Sequence, residues 1–170
     1  MEVDRAVGLM NSLGLLDWKA LSIGWDRGWA TRADVAGYAV NRLQSDAGDD
    51  IAAVASLASV EGLDDEAIRG LLVRLAGEQA EEDGIAQEKW RLVRLLDLDG
   101  MDLGWDEKVT RLEELGAEFG YPPDMRLCTR YGPSQASIDA GVASQDDLST
   151  DPLDALRLVI TSLKRRLGVA

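Results

Sequence analysis

The chain has 170 residues, 46% of them hydrophobic, and a formal net charge of −13. That length makes one domain with a sizeable core the default, and the apolar fraction is ordinary while the acidity is not. Acidity disfavours non-specific attraction to nucleic acid or an anionic membrane, which needs clustered Lys and Arg, and favours a basic partner. The lack of histidine removes the commonest general base, the Ser-His and Cys-His nucleophile pairs and the commonest transition-metal ligand. A single cysteine, Cys128, excludes an intramolecular disulfide and a multi-cysteine zinc site. The N-terminus begins acidic without a continuous apolar run, and no window approaches the roughly 18 apolar residues of a membrane span. A cytoplasmic protein is expected.

No proline precedes Pro122, and Ala and Leu are abundant, a combination that favours helices. The expectation is an all-α fold, a single compact domain over residues 1–170, with about seven to eight helices packed as antiparallel helical hairpins. The first covers roughly Val3 to Leu13. Asp17 is placed to cap the second, with Trp18, Leu21, Trp25 and Trp29 on one stripe and Gly28 near its end. Thr31 with Asp34 resembles a capping box opening the third, which carries Val35, Tyr38, Ala39 and Leu43. A loop over residues 45–49 leads to a small-residue helix from Ile51 to Val60. Asp64 caps a fifth, with Ile68, Leu71, Leu72 and Leu75 at core spacing.

The sixth helix is predicted from Ile85 to Leu98, with Trp90, Val93 and Leu92 or Leu96 inward and a loop at Asp97 to Gly100. Asp106 is read as the cap of a seventh, whose buried stripe is Val109, Leu112, Leu115, Gly116 and Phe119. Glu107, Arg111 and Glu114 line its outer face. A double proline, Pro122-Pro123, stops it, and Asp124 to Thr129 fits a short helix. Residues 133–149 are rich in Ser, Gly, Asp and Gln and read as a flexible loop. Asp151-Pro152 opens a C-terminal helix at 151–167, with Lys164, Arg165 and Arg166 offsetting the dipole in its last turn.

Candidate chemistry is sparse. Asp46, Asp49, Asp50, Glu61, Asp64, Asp65 and Glu66 fall between Arg42 and Arg69 with no basic residue among them. Brought together they would face a cationic partner, and they are the candidate partner-binding residues; as helix caps and first-turn residues they would be structural. Asp46 to Asp50 and Asp97 to Asp102 superficially suggest calcium, but neither has the alternating ligands and closing Glu of an EF-hand loop. No Gly-rich phosphate loop and no serine elbow occurs. Arg126 and Arg130 near Cys128 could lower its pKa, but with no histidine to activate it a buried or inert thiol is the expectation. No catalytic, metal or cofactor-binding residue is expected, and no cofactor.

The stretch from Glu113 to Pro133, EELGAEFGYPPDMRLCTRYGP, is the most distinctive in the chain. Together with Leu16-Asp17-Trp18, Ile23-Gly24-Trp25, Gly28, Val35, Tyr38, Ala39 and Trp90-Arg91-Leu92, it resembles a bacterial domain-of-unknown-function family, number 2247. The resemblance runs from about Leu16 to Pro133 and departs at Gly120 and Gly132, where an acidic residue and a methionine are expected. That family is grouped with immunity proteins of polymorphic toxin systems and carries no established catalytic residues. The resemblance implies a non-enzymatic, immunity-type protein that binds and neutralises a cognate toxin, for instance a nuclease with a basic cleft, by stoichiometric binding. The alternative is a non-catalytic helical adaptor or regulatory scaffold holding a basic protein or peptide. A carboxylate- and metal-dependent hydrolase is a third, weaker fit to a histidine-free chain.

Overall fold

The computed structural model describes residues 3–45, 48, 50–77, 80–130 and 150–169. Its helices are α1 (Val3–Ser12), α2 (Trp18–Asp26), α3 (Arg32–Gln44), α4 (Ile51–Ala58), α5 (Asp65–Ala76), α6 (Ala80–Asp99), α7 (Trp105–Glu118) and α8 (Pro152–Leu167). Single 3-10 turns stand at Val60–Gly62 and Pro123–Met125. No strand occurs among the described residues, and the fold is all-α. Residues 133–149, read as a loop, lie outside the described residues.

Most helix starts have a local cause in the sequence. The Asp17 carboxylate accepts the Ala20 N–H at 2.8 Å, Asp64 that of Ala67 at 2.8 Å, and Asp50 that of Ala53 at 3.2 Å. Asp151 accepts from the Leu153 N–H at 2.8 Å, with Pro152 in the first turn. Thr31 and Asp34 form the full capping box: the Asp34 N–H reaches the Thr31 hydroxyl at 3.2 Å, and the Thr31 N–H reaches the Asp34 carboxylate at 2.8 Å. Each such cap is worth about 1 kcal/mol, because it satisfies a donor that the first helical turn leaves without a partner.

Other boundaries moved. Gly104 and not Asp106 caps α7, and Asp106 lies in its first turn. Helix α4 ends at Ala58 and the chain tightens into the Val60–Gly62 turn. The stretch from Asp97 to Asp99 is the last turn of α6, not a loop. Asp124 sits in a 3-10 turn and does not begin an α-helix.

The chain divides into two compact units, Met1–Trp90 and Arg91–Ala170, with the boundary inside α6. In the first, α3 packs on α4, α4 on α5, and α2 on α5 across two intervening helices. Met10, Leu21, Val35, Leu57, Ile68 and Trp90 are fully buried there. The Trp90 indole N–H donates to the Ala20 carbonyl at 2.7 Å, which satisfies its one polar atom inside the core. Its ring lies so close to α2 that a Cβ on Gly24 would fall 2.2 Å from Cζ2, so only glycine fits there. Trp18 meets Tyr38 edge to face at 4.7 Å, and Trp29 lies 5.5 Å from Trp90.

Trp29 does not share the α2 stripe. The helix stops at Asp26, Gly28 turns left-handed at φ +69°, and the Trp29 N–H closes back on the Gly24 carbonyl at 2.7 Å. This helix-ending turn, and not helical periodicity, carries Trp29 into the core, while Trp25 is only half-buried.

In Arg91–Ala170, α8 packs on α7 and on the Pro123–Met125 turn. Leu92, Leu95, Val109, Leu112, Leu156 and Leu163 are fully buried. From Arg91 to Leu98 every residue except Leu96 is buried, so this half of α6 has no solvent face. Arg91, Arg94 and Asp97 are therefore carried inside, at 7%, 7% and 4% exposure.

Candidate functional site

The acidic run takes a different form in space from its linear form. Asp46 and Asp49 lie outside the described residues. Asp50 caps α4 and forms an ion pair with Arg74. Asp64 caps α5, and in its first turn Asp65 pairs with Arg32 and Glu66 with Arg69 at 2.6 Å. Arg32 also donates to the carbonyls of Val60 and Leu63 at 3.2 and 2.7 Å, which fastens the turn in front of α5. Glu61 is exposed on that turn. Arg69 reaches Asp26 at 2.7 Å as well, and Asp26 followed by Glu66 holds its guanidinium above the ordinary arginine value. The basic-free gap of the sequence is thus filled by Arg32, Arg69 and Arg74 from other positions. These pairs are exposed, and such pairs are worth only about 0.2–1 kcal/mol each.

A cavity of about 500 Å³ lies at the C-terminal end of α7. Its apolar wall is Gly116, Tyr121, Pro122, Pro123, Met125 and Cys128; Glu113, Arg126 and Thr129 are the polar members. All nine belong to the distinctive Glu113 to Pro133 stretch, of which Tyr131, Gly132 and Pro133 lie outside the described residues. The wall is shaped by how α7 ends. The Gly120 N–H bonds the Ala117 carbonyl at 3.0 Å and the Tyr121 N–H bonds the Gly116 carbonyl at 2.7 Å, the two closures of a Schellman turn. Gly120 takes φ +73°, a conformation that suits glycine. Tyr121 also takes a left-handed φ, +53°, the only described non-glycine residue to do so, and the residue is 72% exposed. That conformation costs a side-chain-bearing residue about 1–2 kcal/mol.

Charged residues from the interior brace the cavity. Asp124, in the turn that forms its floor, accepts from Arg91 at 2.9 Å and from Arg166 of α8 at 3.1 Å. Arg94 pairs with Glu118 at 2.7 Å at the end of α7. The Glu113 carboxylate takes the Arg130 backbone N–H at 2.7 Å, and the Arg130 guanidinium reaches the Asp106 carbonyl and the Thr110 hydroxyl at 3.1 and 3.0 Å. Asp151 joins the starts of two helices, capping α8 and accepting the Trp105 indole N–H at 3.0 Å.

Cys128 is the buried, inert thiol that a histidine-free sequence suggests. Its thiol is buried, and burial, then the Asp124 charge, push its pKa up to about 12 against a smaller opposing effect of Arg91. Arg126 and Arg130 do not activate it, and at neutral pH it is a protonated, inert thiol. The cavity therefore offers the chemistry of recognition: apolar walls, a half-buried carboxylate acceptor and a hydroxyl.

The sequence singled out this stretch as distinctive but placed the candidate interface on the acidic run. Gly116 was legible only as a member of a buried stripe, and Arg91 only as part of the Trp-Arg-Leu motif. Buried arginines leave no periodic signal, because their side-chain type predicts exposure. Among the described residues, no three of His, Cys, Asp and Glu come together in a way that could hold a metal ion, and no described helix is long and apolar enough to cross a membrane.

No curated protein and no solved structure matches the chain. The model of an uncharacterised protein family conserved in bacteria, DUF2247, matches residues 9–155, most of the 170, and the chain belongs to that family.

Proposed function

We propose that the protein is an immunity-type inhibitor that binds a cognate bacterial toxin domain with a basic surface and blocks it by stoichiometric association. The observation that carries this reading is the distribution of charge. Met1–Trp90 holds 17 of the 31 acidic residues but only 8 of the 18 basic ones, a net −9, whereas Arg91–Ala170 carries −4. A field of that sign raises the rate of encounter with a cationic cleft. The exposed pairs Asp65–Arg32 and Glu66–Arg69 are weak enough for a partner's own Lys or Arg to compete for the carboxylates. Membership of a bacterial family supports the setting.

Co-expression with the toxin domain encoded beside the gene, scored by cell survival and co-purification, tests the proposal. Survival with a stable complex is expected, with an association rate that falls steeply with salt. The double reversal Asp65→Lys and Glu66→Lys should slow association by tenfold or more. Cell death without a complex would overturn the proposal.

A further inference from the structure

The cavity at the end of α7 is bordered by two departures from what a helix ending requires. Gly116 is buried within α7, in helical conformation, where alanine would serve the helix better. Crowding does not demand the glycine. A Cβ there would find its nearest atoms, Met125 Cε and Tyr121 Cδ1, at 3.9 Å, an ordinary contact distance. The contrast with Gly24, where a Cβ would strike the Trp90 ring at 2.2 Å, is direct. The second departure is the left-handed Tyr121, which holds its ring at the edge of the same cavity. Local rules broken side by side around one cavity mark a site kept for something other than stability.

We infer that this cavity is a binding site for a compact planar ring that carries an N–H or O–H donor. The volume, about 500 Å³, lies in the range of small-ligand pockets. Tyr121, Pro122 and Pro123 supply flat apolar faces, and Met125 is an adaptable filler on the inner side. Glu113 is half-buried and, as a carboxylate, only accepts hydrogen bonds, so the ligand supplies the donor. Arg126, which is exposed, and the Thr129 hydroxyl add donors of their own to the lining, so the ligand's donor is matched to Glu113 in particular. The inference stands apart from the toxin-binding reading, since no residue of the acidic run takes part.

Methyl-labelled methionine NMR on the full chain tests it, because Met125 lines the cavity and Met10 is buried in Met1–Trp90. The probes are indole and 4-methylphenol, toluene as a ring without a donor, and the blocked amides of tryptophan and tyrosine. A saturable shift of Met125 with Met10 unmoved is expected, with toluene at least tenfold weaker. Tighter binding of the free probes identifies a small molecule as the natural ligand; binding confined to the blocked amides identifies an aromatic side chain of a partner. Gly116→Leu should weaken the best probe at least tenfold. Gly116→Ala should weaken it about threefold while raising the melting temperature by about 3 °C. No saturable Met125 shift with any probe, toluene binding as tightly as indole, or a Gly116→Ala protein that melts lower than the parent would each overturn the inference.

Discussion

Among the described residues, Met1–Trp90 keeps its charged side chains at or near the surface and closes its interior with tryptophan, whereas Arg91–Ala170 takes two arginines and an aspartate inside. The first unit leaves no room for even a Cβ at Gly24 against Trp90; the second leaves open a cavity of about 500 Å³. Apolar closure of the first kind tolerates almost no change in volume. Charged bracing of the second kind holds a shape that need not be filled, provided each buried ion keeps its partner. The difference teaches that the tryptophans and glycines near the start of the chain report packing, while the cavity belongs to the distinctive Glu113 to Pro133 stretch, which carries no recognisable catalytic motif.

Substitutions can break that comparison. Trp90→Ala should have the largest effect, about 4 kcal/mol of stability by denaturant unfolding, because it removes a fully buried indole together with its bond to Ala20. Gly24→Ala should cost about 3 kcal/mol through overpacking against the same ring, which is buried and has little room to shift. Asp124→Ala should cost about 2 kcal/mol. That is below the roughly 3–5 kcal/mol of a fully buried pair, since Asp124 is partly exposed, and the loss leaves Arg91 inside without this partner. The smallest effect on stability, about 0.5 kcal/mol or less, is expected for Asp65→Asn, whose partner Arg32 is exposed.

Cys128 sharpens the comparison without a substitution. With its folded pKa raised to about 12, the native state holds its proton where the unfolded chain, with an ordinary thiol near 8.5, has begun to lose it. The contribution to stability is complete below the unfolded value and is lost as pH rises through the window up to 12. A thiol reagent at pH 8 should label the native protein far more slowly than the unfolded one. Equal rates would show that the wall of the cavity opens freely.

Much of the fold was legible because its signals are local. Asp17, Thr31, Asp64 and Asp151-Pro152 start helices by satisfying donors within three residues, and residue type and spacing suffice to see this. Trp29 was misplaced because a left-handed glycine turn, and not the period of α2, sets its direction. The α2 and α5 pairing spans two other helices, and no local signal encodes such a partner. The acidic run was legible as a run but not as a surface, since Arg32 and Arg74 reach it from outside the segment. The cavity depends on how Tyr121 and Gly116 face each other after the helix ends, which no periodicity describes.

Among the described residues, four helices are capped by an aspartate: Asp17, Asp50, Asp64 and Asp151. Asparagine caps a helix about as well as aspartate does. Neutral drift could therefore exchange all four and take the net charge from −13 to −9 with little change in the architecture. A lineage that nevertheless retains the carboxylates would be holding to charge as a trait separate from shape, and its relatives could diverge in electrostatic character while sharing one backbone.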